Sequence, residues 1–261
     1  MLHWPLVTPA SFTIPEYAPP SGWLGHAPFA FWLIDAIRPK RIVELGVHTG
    51  FSYFCFCQAV ERFDVNADVH GVDTWCGDEH TGYYKEDVFE GVLEHHRKYE
   101  FSHLHRMGFS DALDRIEDGS IDLLHIDGQH FYEDVRRDFL EWQPKLSETA
   151  IVLIHDTQLF NLDPSARVNE FLRDLGQFIP VFEFPHCYGL GVAACGSAIP
   201  HAIGPLFNGD PVLAGWLKGC YAAIALTMGK PRRINDIESI MNYTQELLAG
   251  SSNISITQSE R

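Results

Sequence analysis

Short apolar runs alternate along this chain with longer stretches in which apolar residues recur at every third or fourth position. The runs Arg41–Leu45, Val69–Val72, Leu104–Met107, Ile121–Ile126 and Ala150–Ile154 have strand length. Helical spacing fills the intervals at Phe51–Arg62, Tyr84–Lys98, Ser110–Ile116 and Tyr132–Leu140, and a further helix, Gly25–Ile37, is stopped by Pro39. Strands alternating with helices of this length build βαβ units, so a parallel sheet with helices on both faces is expected. A helix over Val168–Leu175 then leads to strands Ile179–Phe184 and Tyr188–Ala194, separated by the turn-like PHCYG. Strands joined so closely pair antiparallel, because a parallel partner needs a long crossover. The expected fold is α/β: seven strands, five of them parallel and closed by an antiparallel hairpin.

The organisation that follows has four parts. Residues 1–24, rich in proline and aromatics, are an extended lead-in that packs on the domain; residues 25–199 form that domain. Residues 200–250 are a helical appendage with patterns at Pro211–Met228 and Ile234–Leu248, and 251–261 are a polar tail. The apolar faces of the appendage suit packing on the domain and homo-oligomer formation alike.

Composition narrows the function. A net charge of −16 counts against a grip on nucleic acid, which needs clustered Lys and Arg. No apolar run reaches the roughly 20 residues that span a bilayer. The opening MLHWPLVTPA lacks the basic and apolar regions of a signal peptide, so a cytoplasmic location is the expectation. The six cysteines show no paired CxxC spacing, and neither a disulfide framework nor a zinc site is indicated.

Chemistry concentrates where strands end. RIVELGVHTG carries Glu44, HGVDTW carries Asp73, IDLLHIDGQH carries Asp127, and IVLIHDT carries Asp156. In an open parallel sheet the C-terminal edge is where ligands bind, and four carboxylates delivered there are hard to assign to core packing. Gly46 and Gly50 let the backbone turn sharply and approach a ligand, and the helix beginning at Phe51 offers free N–H groups. The spacing is ExGxxxG rather than GxGxxG, and its leading acid would repel a pyrophosphate but welcome a cation. Asp73, closing the second strand, is suited to a ribose.

The acid-bearing glycine turn, the ribose-type acid and the antiparallel closing hairpin resemble class I S-adenosylmethionine-dependent methyltransferases across roughly residues 25–195. That resemblance implies a Rossmann-like sheet and S-adenosylmethionine as cofactor. By it, Gly46 and Gly50, with Ser52 at the start of the helix, line the methionine part, and Glu44 lies near its ammonium group. Asp73 holds the ribose, and Ser110-Asp111 lies near the adenine with Trp75 and Phe109 as ring contacts. For each aromatic, core packing is an equal alternative.

Asp127 and Asp156 end adjacent strands, and two neighbouring carboxylates are costly without a cation or shared proton. The arrangement resembles the metal-dependent branch of the family, which includes catechol and macrolide-sugar O-methyltransferases. The implied ligands of a divalent cation, Mg²⁺ or Mn²⁺, are Asp127, His155 and Asp156, with His155 standing where that branch has an acid. Imidazole suits Mg²⁺ less well than carboxylate, so three alternatives stand: His155 takes a metal such as Mn²⁺, it points away and a water fills its place, or no metal binds. His130 matches the position of a catalytic base, and imidazole suits that role near neutral pH. Catalysis thus falls to His130 and Asp127, and Asp127 also borders the cofactor. Val72–Tyr84 reads equally as a lid bearing Asp78, His80 and Tyr83 or as a turn into a helix capped by Thr81.

The expected activity is methyl transfer to a hydroxyl of a small molecule or sugar, in surface-polysaccharide or natural-product biosynthesis. A nicotinamide-dependent oxidoreductase and a non-catalytic scaffold of the same fold remain the alternatives.

Overall fold

The computed structural model describes residues 6–78, 82–83 and 86–227. Strands β1 (Arg41–Leu45), β2 (Asp68–Asp73), β3 (Ser102–Arg106), β4 (Ile121–Ile126), β5 (Leu146–His155), β6 (Val181–Phe184) and β7 (Leu190–Ala194) form one sheet. Their order is β3-β2-β1-β4-β5-β7-β6. The first five are parallel, and β7 runs against both neighbours, pairing Leu190 with His155 on one side and Phe184 on the other. Both the α/β class and the closing hairpin therefore stand as the sequence predicts.

Two apolar layers clothe the sheet. In β5, Ile151 and Leu153 face one layer while Val152 and Ile154 face the other, as a strand buried on both sides requires. The first layer holds α1 (Ala27–Ile37), α2 (Phe51–Arg62) and part of α6 (Pro211–Thr227). Every residue of α1 from Ala27 to Ile34 is buried, so this helix lies under the surface. The second layer holds α4 (Tyr132–Trp142), through Val135, Phe139 and Trp142, and α5 (Val168–Leu175), through Val168, Phe171 and Leu172. Helix α3 (Glu86–His96) connects the region after β2 to β3.

Some boundaries shift. β5 starts at Leu146 rather than Ala150, because the polar Ser147–Thr149 stretch is strand in backbone though not in hydropathy. The Ser110–Ile116 pattern becomes a 3-10 turn, Ser110–Arg115. His80, Thr81, Tyr84, the helix expected at Ile234–Leu248 and the polar tail lie outside the described residues, as does the Asp78 side chain.

Strand order reverses between β1 and β4, and this is the point at which an open sheet parts above its strand ends. Leu45 is level with both Val72 and Ile126, so Gly46, Asp73 and Asp127 emerge together at that edge. Ile126 is in turn level with Ile154, which sets Asp127 beside His155.

Candidate active site

A cleft of about 620 Å³ opens there, lined by Gly46–Thr49, Phe51, Ser52, Asp73, Asp127–His130, His155 and Asp156 among others. Its first wall is the β1–α2 turn. Gly46 has φ +92°, and a Cβ at this position would run into the carbonyl of Asp127. That absence lets Gly46 N donate to Val72 O at 2.9 Å and Asp127 N to Leu45 O at 2.8 Å, knitting three strand ends together. Gly50, at φ +85°, is the N-cap of α2. Asp73 fastens the turn from the side: Oδ2 accepts from Val47 N and His48 N, both at 2.9 Å, and Oδ1 accepts from Trp75 N at 2.7 Å. A carboxylate has about four acceptor positions, so one remains for a ligand hydroxyl.

Glu44 sits one layer deeper, fully buried and off the cleft wall. Ser52 Oγ donates to its Oε1, and His125 Nδ1 lies 3.2 Å from the same oxygen. His125 Nε2 accepts from Trp23 Nε1–H at 3.1 Å. Indole can only donate, so the proton of a neutral His125 resides on Nδ1, the nitrogen nearer Glu44. Burial raises the Glu44 carboxyl above its ordinary value, against the pull of His125 and Ser52. Glu44 therefore supports Ser52 on the wall rather than forming the wall itself.

The second wall carries the charged cluster. His155 Nδ1 lies 3.2 Å from both Asp127 Oδ1 and Asp156 Oδ2, and its Nε2 donates to the Cys187 carbonyl at 3.1 Å. Asp156 Oδ2 is also 2.9 Å from His130 Nε2. Burial alone would raise the Asp156 carboxyl, yet His155 and His130 outweigh it and hold the group well below the carboxylate range. The reverse holds for His155: burial opposes its charge, but Asp156 and Asp127 keep it well above the ordinary imidazole value. For His130, too, burial is overcome by Asp156 and the value rises. Among the described residues, Asp127, His155 and Asp156 are the group whose donor atoms converge enough to hold a metal ion.

Other expected residues fall elsewhere. Trp75 is buried behind the first wall, donating to His48 O at 2.9 Å with its ring against Phe89, so it braces the turn. Ser110 is exposed and donates to Glu141 at 2.6 Å; Gly108 and Phe109 line the cleft in its place. Tyr83 is exposed, and among the described residues of the expected lid Asp73, Thr74 and Gly77 border the cleft.

Sequence reasoning missed several lining residues: Pro20–Trp23, Arg137, Asp138, Leu159 and Tyr188. The turn PHCYG was the available signal for Tyr188. Five of the described non-glycine residues with positive φ, namely His48, Trp75, Asp156, Cys187 and Tyr188, lie on or directly behind the cleft. Such conformations cost on the order of 1–3 kcal/mol each and cluster at functional sites.

A family model described as a methyltransferase domain matches residues 43–157, from within β1 to just past β5. The match spans the glycine turn, Asp73, Asp127, His155 and Asp156. The matched segment is thus similar to methyltransferase domains. The uncharacterized protein y4gI of Sinorhizobium fredii (strain NBRC 101917 / NGR234) is 47% identical over 207 residues, covering 79% of this chain and 22% of that protein. The chain thus spans about a fifth of the length of that relative. Two solved structures share the fold of this chain, each with a TM-score of 0.52. One, from Staphylococcus aureus and provisionally named a caffeoyl-CoA O-methyltransferase, is 14% identical and aligns over 69% of this chain and 85% of its own. The other, the cofactor-bound protein Rv0187 from MTB, is 15% identical over 72% of this chain and 87% of its own.

Proposed function

We propose that the chain transfers a methyl group from S-adenosylmethionine to a hydroxyl of a small molecule or sugar, in the cleft above β1, β4 and β5. The observation that carries this reading is one cleft with two differently equipped walls. The Gly46–Ser52 turn and Asp73 suit a donor with amino-acid and ribose parts, while Asp127, His130, His155 and Asp156 suit an acceptor hydroxyl. The hydroxyl oxygen forms a bond to the methyl carbon as the carbon–sulfur bond breaks. Sulfur keeps the electron pair and leaves as the thioether, S-adenosylhomocysteine, and the hydroxyl proton passes to His130. Asp156, 2.9 Å from the His130 imidazole, makes it a better proton acceptor, in the manner of a carboxylate-supported base. Most of the acceleration comes from holding donor and acceptor in line.

The donor set of two carboxylates and one imidazole fits a divalent cation, with Asp127, His155 and Asp156 holding it. When bound, such an ion supplies Lewis acidity that lowers the pKa of a coordinated hydroxyl. A role in surface-polysaccharide or natural-product biosynthesis rests on the family resemblance, and the acids along the second wall are compatible with a hydroxyl-rich acceptor. Calorimetry with S-adenosylhomocysteine tests the core of the reading. One molecule bound per chain is expected, and no binding to the folded protein would overturn it.

A further inference from the structure

His155 stands where an oxygen ligand would make the cluster an all-carboxylate site, and its ring is not free to turn. The Cys187 carbonyl can only accept, so the proton of the 3.1 Å contact belongs to Nε2. The same carbonyl lies 3.2 Å from His26 Nε2, and the backbone presenting it is held in an uncommon shape, with φ +51° at Cys187 and +67° at Tyr188. The ring is buried beneath Gly22, where a Cβ would come within 3.9 Å of His155 Cε1. Nδ1 is therefore the nitrogen offered to the cluster. A ligating histidine characteristically donates its other N–H to a carbonyl in this way.

The separations suit coordination. Nδ1 is 3.2 Å from an oxygen of each carboxylate, close to the ~3 Å edge of a polyhedron with metal–ligand bonds of roughly 2.1 Å. An ion there would occupy the position that the Nδ1 proton holds between the same two carboxylates.

We propose that this site selects a nitrogen-accepting first-row dication, in the series Mn²⁺ to Zn²⁺, over Mg²⁺, with His155 Nδ1 as the selecting ligand and the Cys187 carbonyl presenting it. The inference rests on the metal-holding part of the proposed function. Its chemical basis is that Mg²⁺ prefers oxygen ligands and gives up its waters reluctantly, whereas imidazole favours the later metals.

The test uses the full chain freed of metal by a chelator. Co²⁺ alone is titrated in, followed by visible absorption and calorimetry, and Mg²⁺ is then added as competitor. One Co²⁺ per chain is expected, bound on the order of 100-fold more tightly than Mg²⁺. His155→Asp is expected to reduce that ratio about tenfold or more. The proposal is overturned if no Co²⁺ binds, if Mg²⁺ competes at equal concentration, or if the folded variant keeps the wild-type ratio. Should the variant fail to fold, the wild-type competition decides alone. S-adenosylhomocysteine binding is measured on the same sample. Its presence without Co²⁺ binding sinks the metal inference only, and its absence beside selective Co²⁺ binding sinks the methyltransferase reading only.

Discussion

Asp138 shows what a cleft costs at the scale of one residue. It lies on α4, is 3% exposed, and borders the cleft beside Gly128. Burial pushes its carboxyl up to about 6, more than Arg137, 3.5 Å away, pulls it down. In the unfolded chain the same group ionises near its ordinary 3.8. Between these values the folded state binds more protons, so this group's contribution falls as pH rises from about 4 to about 6 and stays low above that. Asp138→Asn removes the penalty. Urea unfolding at pH 7.5 is expected to show a gain of about 1–3 kcal/mol over wild type, and at pH 4 almost none. A gain of the same size at both pH values would mean that ionisation is not the cause. The sequence hid this residue for a physical reason. Helical spacing in α4 marks position 138 only as a gap in the apolar stripe, and its place beside Gly128 arises from how the helix packs over the strand ends. The placing of Asp73, Asp127 and Asp156 on the cleft was legible because hydropathy locates a strand's end, and the cleft opens at that end. Hydropathy could not say that Glu44 would turn inward to Ser52 and His125, nor on which side of the wall Trp75 would lie.

At the scale of elements, the β1–α2 turn does two tasks with one glycine. Gly46 adopts a left-handed conformation, and its missing side chain admits the Asp127 carbonyl, so the two walls of the cleft touch there. Gly46→Ala meets both obstacles together. The conformational cost is about 1–2 kcal/mol, and forcing the neighbouring backbone apart adds about 1–3 kcal/mol. Urea unfolding is expected to register a loss of about 2–5 kcal/mol, accompanied by weaker S-adenosylhomocysteine binding; unchanged stability would show that the turn relaxes freely. The β6–β7 turn gives the contrasting lesson. Its sequence, PHCYG, announces a turn, and the antiparallel pairing followed from its brevity. Which carbonyl it would aim at His155 did not follow, because that depends on three successive left-handed residues, two of them not glycine.

Across the whole molecule, segments far apart in sequence are joined above the sheet to complete the cleft. Tyr221 of α6 is buried, its hydroxyl donating to Leu6 O at 2.7 Å and lying 3.3 Å from Ser11 Oγ. Its ring meets Phe29 of α1 and Phe184 of β6 edge-on, at 5.5 and 5.2 Å. From there the lead-in runs to Pro20–Trp23, which lines the cleft, and Trp23 reaches His125 and through it Glu44. If Pro20–Trp23 forms a roof over the cleft, the lead-in and α6 tied together by Tyr221 would clamp it, and a residue remote from the charged cluster would bear on ligand affinity. Tyr221→Phe removes the hydroxyl and leaves the Leu6 carbonyl unpaired, at a cost of about 1–3 kcal/mol. Tyr221→Ala also opens a cavity among Phe29 and Phe184 and is expected to cost about 3–5 kcal/mol in urea unfolding. If the clamp positions the roof, the Ala variant also binds S-adenosylhomocysteine more weakly under conditions where it is fully folded, while the Phe variant stays near wild type. Equal affinity in all three proteins, with the stability loss intact, would reduce Tyr221 to a packing residue and detach the roof from the clamp.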